Sequence, residues 1–241
     1  MILSIIIPVY NEEKTIEKII DLVLKTKLPN SFEREIIIID DASSDQTKKL
    51  ILKKIQKIQQ KNQIFLITKP ENEGKGSAIL IGLKKSKGDI IIIQDADLEY
   101  LPKYYSSLLT PIIDNKSSVV YGTRIRTMKF KLFGENRTPL ILHYLMNRFL
   151  SLFTNLLYGS NITDMETCFK VFTRKVYNQI EPLNSKGFEI EPEITSKILR
   201  KKINIYEVDI KTIPRGYNQG KKIKWYDAIF AICTLIKNKI I

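Results

Sequence analysis

Three observations predict an α/β fold with a mostly parallel central sheet flanked by helices. Apolar runs and segments of helical period alternate about every 30 residues through position 100, the spacing of successive strand–helix–strand units. The runs 3–9, 35–39, 64–68 and 90–93 are short, β-branched and without polar alternation, as strands buried on both faces are. Each run also ends in polar residues. Parallel strands bring such ends to one edge, where a ligand crevice forms.

Leu3 to Val9 is the first strand, followed by Tyr10, Asn11 and Glu12, with Asn11 placed to cap a helix that carries Ile16, Ile19, Ile20, Val23 and Leu24. Glu35 to Ile39 is the second strand and closes in Asp40 and Asp41. Ser43 and Gln46 form a capping box for a helix with Leu50, Ile51, Ile55 and Ile58. After the strand Ile64 to Thr68, Gly74, Lys75 and Gly76 lead into a helix from Ser77 to Ser86. They lack full P-loop spacing and read as a tight helix start beside the crevice. Beyond position 100 the pattern loosens. Helices are expected from Pro102 to Asn115, Leu140 to Tyr158, Ile190 to Lys201 and Ile223 to Ile241. Strands are expected at 118–121, 168–172 and, as an edge, 203–210; basic loops cover 125–138 and 212–222.

The most apolar strand, Ile90 to Ile93, runs into Gln94, Asp95, Ala96 and Asp97. Asp95 and Asp97 point to one side if the strand continues, and Asp97 can swing back to Asp95 if the chain turns. Paired carboxylates at this edge suit Mg2+ or Mn2+ carrying a diphosphate; the alternative is a solvated turn.

At 241 residues and 44% hydrophobic content the chain can bury a full core, which excludes disorder. The formal charge of +13 points to acidic partners: nucleotide phosphates, nucleic acid or an anionic membrane surface. A nucleic-acid module would set stacking aromatics among its lysines. Here the aromatics fall in apolar patterns, so no nucleic-acid partner is expected. Cys168 and Cys233 match neither metal-ligand nor disulfide spacing, in keeping with a reducing, cytosolic compartment. The opening MILSIIIPVY has no basic leader and reads as a strand, not a signal peptide. The longest uncharged apolar run, Ala228 to Ile236, falls well short of the about 20 residues of a membrane span. The last helix has lysines at both ends and Trp225 and Tyr226 near its start. It reads either as an interfacial helix or as a core helix packed on the sheet.

The segments IIIPVYNEEKTI, IIIIDDASSDQT, NEGKGSAILIGLKKSKGDIIIIQDADLEY, YGTR, TDMETCFKVF, GFEIEPEIT and RGYNQGKKI follow in this order. In them the chain resembles family 2 glycosyltransferases of GT-A fold over essentially its whole length. More narrowly it is similar to the dolichyl-phosphate mannose synthases and related polyprenyl-phosphate glycosyltransferases. The resemblance implies one domain over 1–241, with a nucleotide-sugar-binding half (1–122), an acceptor half with mobile loops (123–222) and a C-terminal basic amphipathic helix (223–241). It implies metal-dependent, inverting transfer of mannose or glucose from GDP-mannose or UDP-glucose to a polyprenyl or dolichyl phosphate. The reaction would take place at the cytoplasmic face of a membrane, with room for a separate membrane subunit that presents the lipid.

Carried over by position, Pro8, Tyr10, Glu12, Ile39 and Asp41 would hold the base and ribose. Asp95, Ala96 and Asp97 would bind the donor diphosphate through the metal, with Glu99 standing where the mannose synthases carry a glutamine. Arg124 would meet the phosphates and, with Asp97, carry the catalytic role. Arg215 and Lys221 would close over the donor. The acceptor-side positions fall at His143 and Asn147, and Asp164 is either a cap for the turn before Cys168 or part of the site floor.

A phosphate monoester is ionised at neutral pH, so such an acceptor needs no strong base; the site must supply charge neutralisation. A soluble or cell-envelope saccharide hydroxyl would instead need a carboxylate base, for which Asp164 and Glu166 are the candidates.

Overall fold

The computed structural model describes residues 1–29, 32–58, 64–126, 141–215, 220, 222 and 226–241. Most of the loop expected at 125–138, much of that at 212–222 and the start of the last expected helix, including Trp225, lie outside them. So does Lys221.

Strands β1 (Ile2–Val9), β2 (Glu33–Asp40), β3 (Ile64–Thr68) and β4 (Ile90–Ile93) alternate with helices α1 (Ile16–Lys25), α2 (Thr47–Lys57) and α3 (Lys75–Lys85). They pair in parallel in the order β3-β2-β1-β4. The four isoleucines of β4 are fully buried, as are Ile5, Ile6 and Ile7 beside them, because helices cover both faces of this part of the sheet. After a 3-10 turn at Pro102–Tyr104 come α4 (Tyr105–Ile113), β5 (Val119–Thr123), α5 (Ile141–Tyr158), β6 (Lys170–Thr173) and α6 (Arg174–Ile180). Then follow α7 (Ile190–Arg200), β7 (Tyr206–Asp209) and α8 (Asp227–Ile240). β6 enters between β4 and β5, antiparallel to both, and β7 forms the edge, parallel to β5. The expected mostly parallel sheet flanked by helices is therefore present among the described residues.

Three local expectations are corrected. Helix α6 was not expected; it follows β6 directly, starts where Thr173 Oγ1 accepts from Val176 N, and is too short to display a helical period. Asn11 does not cap α1, which begins only at Ile16. Ser43 and Gln46 do not form a capping box, and no side chain caps α2. Instead, Asn11 Oδ1 accepts from Ser44 N at 2.8 Å, and Ser43 Oγ accepts from Asn11 N at 2.9 Å. Gln46 N donates to Glu13 Oε2 at 3.0 Å, and Glu13 N to Asp45 Oδ2 at 3.2 Å. Neighbouring parallel strands deliver these two loops side by side, so Asn11 and Ser43 bond the facing loop and not their own helices.

The last helix packs mainly on other helices, not on the sheet. Its main partners are α7 and α5, against which it buries Ala231 and Leu235. Tyr158 Oη donates to Leu235 O at 2.6 Å, and Asn238 Nδ2 to Ser196 Oγ at 2.8 Å.

Helix α3 lies close on both the sheet and the segment before α7. Gly76 N and Ser77 N donate to Gly187 O at 3.1 Å and Lys186 O at 2.9 Å, so these first-turn amides serve the chain itself. Further along the helix, a Cβ added to Gly82 would lie 2.4 Å from Ile6 Cγ2 and 2.8 Å from Ile39 Cδ1. Alanine is the better helix former by about 1 kcal/mol, but overpacking costs about 1–3 kcal/mol. Gly82→Ala should therefore lower the Tm by a few degrees, roughly 2–4 °C per kcal/mol lost. A calorimetric Tm equal to or above that of the parent would show that α3 can lift off the sheet at no cost.

Candidate active site

The carboxyl ends of β1, β2 and β4 open on a cleft of about 340 Å3. Of the residues expected at the site, Pro8, Tyr10, Glu12, Asp41, Asp95, Ala96, Asp97, Glu99, Arg124 and Arg215 line it. Ile39 does not, because its side chain is fully buried in the sheet with Cδ1 beneath Gly82. His143 and Asn147 lie on α5 outside the lining; Asn147 Nδ2 donates to Asp164 Oδ1 at 2.7 Å, and its Oδ1 accepts from Glu166 N at 3.4 Å.

The chain turns after β4. Gln94 is buried and closes the turn: Nε2 donates to Asp95 O at 2.8 Å and Tyr100 O at 2.9 Å, while Oε1 accepts from Tyr105 Oη at 2.8 Å. Asp95 and Asp97 thus stand on a turn at the end of the most buried strand. Lys75 Nζ lies 2.8 Å from Asp95 Oδ1. Burial alone would raise the Asp95 carboxyl, but the Lys75 ammonium holds it below the usual range. Asp97 shifts the other way. Burial, then the charges of Asp95 and Glu99, push it up to about 7 against the pull of Arg215.

Arg215 is the counter-ion of this acidic group. Its Nη1 and Nη2 lie 3.1 and 3.2 Å from the two Glu12 oxygens, and Nη2 is 2.9 Å from Asp97 Oδ2. Its backbone N donates to Glu99 Oε1 at 3.1 Å. Lys222 Nζ adds a contact to Glu12 Oε1 at 2.9 Å and sits over the Tyr10 ring. Asp41 faces the cleft while shaping its wall: Oδ2 accepts from Gly74 N at 2.8 Å, Oδ1 from Glu73 N at 3.2 Å, and Lys69 pairs with Oδ1.

Asp164 is neither cap nor floor. It is fully buried, and it anchors Arg124 through Nε–Oδ2 and Nη2–Oδ1 bonds of 2.7 Å each, with Asn147 Nδ2 also 2.7 Å from Oδ1. Burial opposes its charge, but Arg124 keeps its pKa below the usual range.

Four residues of the cleft and its foundation had no assigned part in donor binding. Lys75 bridges Asp95 to Glu191 Oε1 at 3.0 Å, and Lys170 Nζ lies 2.7 Å from Glu191 Oε2 beneath. Glu166, considered only as a base, lines the cleft beside Cys168 and Phe188. The segments that carry them, GKG, TDMETCFKVF and GFEIEPEIT, were visible in the sequence; their convergence was not.

Asp95 and Asp97 offer hard oxygens, with the Glu99 carboxylate close by. Such a donor set fits a divalent cation shared with a diphosphate. Among the described residues no three acids, histidines or cysteines are drawn together as a complete metal-binding group. Glu99, the third expected ligand, lies with Asp97 against Arg215, and a diphosphate would supply further ligands.

Residues 4–181 match the model of the family described as glycosyl transferase family 2. The chain is 30% identical to UDP-N-acetylglucosamine–dolichyl-phosphate N-acetylglucosaminyltransferase of Methanococcus voltae, over 91% of this chain and 89% of that one. It is 33% identical to a dolichyl-phosphate beta-glucosyltransferase of Trichomonas vaginalis, over 98% of this chain and 72% of that one. Among solved structures, glucosyl-3-phosphoglycerate synthase from Mycobacterium tuberculosis in complex with Mn2+, uridine diphosphate and glucosyl-3-phosphoglycerate is similar in fold. Its TM-score is 0.72 at 18% identity, over 99% of this chain and 80% of that one. The same enzyme with Mg2+ and uridine diphosphate gives 0.71. The GT-A fold expected from the sequence is thus present, and with its model spanning more than half of the sequence, the chain belongs to glycosyl transferase family 2.

Proposed function

We propose that the chain transfers glucose or N-acetylglucosamine from a uridine diphosphate-sugar to the phosphate of a polyprenol such as dolichol. The observation that carries this reading is the charge layout of the cleft: two aspartates at the sheet's carboxyl edge, with Arg124, Arg215 and Lys222 around them. Joining two anions, a donor diphosphate and an acceptor phosphate, needs such a set of cations. The names of the relatives support dolichyl phosphate as acceptor and favour glucose or N-acetylglucosamine over the mannose of the sequence-based expectation.

When bound, Mg2+ or Mn2+ held by Asp95 and Asp97 would supply Lewis-acid stabilisation of the departing diphosphate. Arg215, which bridges Glu12 and Asp97, is placed to exchange a carboxylate for phosphate oxygens, and its planar guanidinium can hold two at once. Arg124 is oriented by Asp164 and gives the cleft a fixed positive charge. The acceptor oxygen, already ionised, forms a bond to the anomeric carbon as the bond from that carbon to the diphosphate breaks, with inversion. No base is required. A hydroxyl acceptor would need one; Asp164 cannot serve, since Arg124 and Asn147 occupy its oxygens, which leaves Glu166, pushed up by burial to about 7, as the candidate base for that reading.

The outer surface supports a lipid acceptor. Leu142, Leu145, Phe149, Leu152 and Leu156 recur every three or four residues along one face of α5, between half and four-fifths exposed. Helix α8, packed on α5, exposes Ile229, Phe230, Ile236 and Ile240, with Lys237 and Lys239 exposed on the same helix. Exposed apolar faces with basic residues suit the interface of an anionic bilayer. No helix of the described residues is long and apolar enough to cross a membrane, so contact through these helices would be peripheral.

Two measurements check this reading. Asp97→Asn should reduce transfer of labelled sugar into an organic-extractable product by about a hundredfold. Its Tm should equal or exceed that of the parent, because a carboxyl whose pKa is raised on folding destabilises the fold once pH passes its ordinary value. Near-normal transfer would remove the aspartates from the chemistry. Burying one leucine is worth about 1.5–3 kcal/mol, so Leu145→Glu with Leu152→Glu should weaken sedimentation with anionic vesicles by at least about a hundredfold, leaving uridine diphosphate binding unchanged. Undiminished vesicle binding would assign the lipid contact elsewhere.

A further inference from the structure

The floor of the cleft holds two carboxylate oxygens that the protein itself does not satisfy. Glu166 Oε1 is buried and has no hydrogen-bond partner among the described residues. Glu191 Oε1 has the Lys75 ammonium 3.0 Å away but out of hydrogen-bonding alignment. Both residues line the cleft, together with Phe188, Cys168 and Lys75. The backbone around Glu166 is fixed from several sides. Met165 N donates to Ser151 Oγ at 3.0 Å, Lys170 Nζ donates to Met165 O at 3.0 Å and Thr167 O at 2.6 Å, and Thr167 Oγ1 donates to Gly122 O at 2.5 Å. The turn therefore cannot shift to find a donor for the Glu166 oxygen. A buried acceptor left unmade is costly, and in a cleft it calls for a donor from outside the protein, water or a ligand's hydroxyl.

Resting on the function proposed above, we infer that Glu166 and Glu191 form the sugar subsite of the cleft, with the open oxygen of Glu166 accepting a hydroxyl of the donor's hexose. A hexose presents neighbouring hydroxyl donors around an apolar ring face. The pair of acceptors matches the hydroxyls, and Phe188 offers a surface for the ring. With Asp95 also near, the acids outnumber Lys75 at the cleft surface, so the subsite takes an uncharged sugar in preference to a glycuronic acid. Glu166 is thus a specificity-determining residue, and it acts as a hydrogen-bond acceptor, not as a base.

The test compares affinities for uridine diphosphate and for UDP-glucose or UDP-N-acetylglucosamine, whichever the parent binds more tightly, by calorimetry in the presence of Mn2+. Glu166→Met, close in volume and without an acceptor, should leave uridine diphosphate affinity within about twofold and cost about tenfold or more in the added affinity conferred by the sugar. Glu166→Gln keeps an amide oxygen and should restore most of that loss. Should the methionine variant fail to bind uridine diphosphate, Glu166→Asp, which withdraws the oxygen by one methylene, carries the same comparison. An unchanged sugar increment in a variant that still binds uridine diphosphate overturns the subsite alone. A glutamine variant that binds the sugar normally but loses turnover overturns the acceptor role in favour of a base. No uridine diphosphate binding by the parent overturns the subsite and the proposed function together.

Discussion

A line of charges of alternating sign holds the cleft in shape, from the partly exposed Asp95 and Lys75 down to the buried Glu191 and Lys170, in contact at 2.8, 3.0 and 2.7 Å. Lys75 comes from the first turn of α3, Glu191 from the first turn of α7 and Lys170 from β6. The line therefore stitches the parallel, donor-side part of the sheet to the elements that follow β5. No member is tenable alone in the interior, and removing one from such a pair leaves an unpaired buried charge at a cost of about 3–5 kcal/mol. Replacing a whole buried pair with apolar side chains is often neutral. What the line contributes is thus orientation more than stability: it sets where the Asp95 carboxylate stands and which oxygen of Glu191 reaches the cleft.

The charge of the molecule is arranged on two scales. The sequence carries +13, yet the cleft is lined by Glu12, Asp41, Asp95, Asp97, Glu99, Glu166 and Glu191. A field of positive sign over the whole surface attracts anionic ligands from a distance. At contact range the acids would repel those ligands, were most of them not matched. Arg215 and Lys222 neutralise Glu12 and Asp97 from a segment late in the chain, while Lys75 and Lys170 neutralise Asp95 and Glu191 from below. Only the first pair sits over the acids, where a ligand can replace it.

Much of this was legible in the sequence where a signal is local and repeated. Isoleucine runs without polar alternation gave β1, β2 and β4, and polar strand ends gave the cleft. Asp95 and Asp97 stood out because they end the most apolar run. The antiparallel insertion of β6 was not legible, since strand direction is decided by pairing across more than 70 residues and a four-residue strand has no pattern of its own. Asn11, Ser43 and Gln46 misled for a related reason. Their side chains are suited to helix starts, but a neighbouring loop offered better-placed partners. Asp164 was ambiguous because its partner, Arg124, lies 40 positions earlier, and motif position does not reveal that the Ile39 side chain faces Gly82.

The Asn147–Asp164–Arg124 relay couples two surfaces that are otherwise separate. Asn147 belongs to the inner side of the helix whose outer side carries the leucine stripe, and Arg124 points into the cleft. Rolling or sinking that helix by even a fraction of an ångström would pull on a fully buried carboxylate clamped by two short bonds, and the guanidinium would have to follow. A shift of α5 on its apolar side would thus reach the Arg124 guanidinium through side-chain contacts alone.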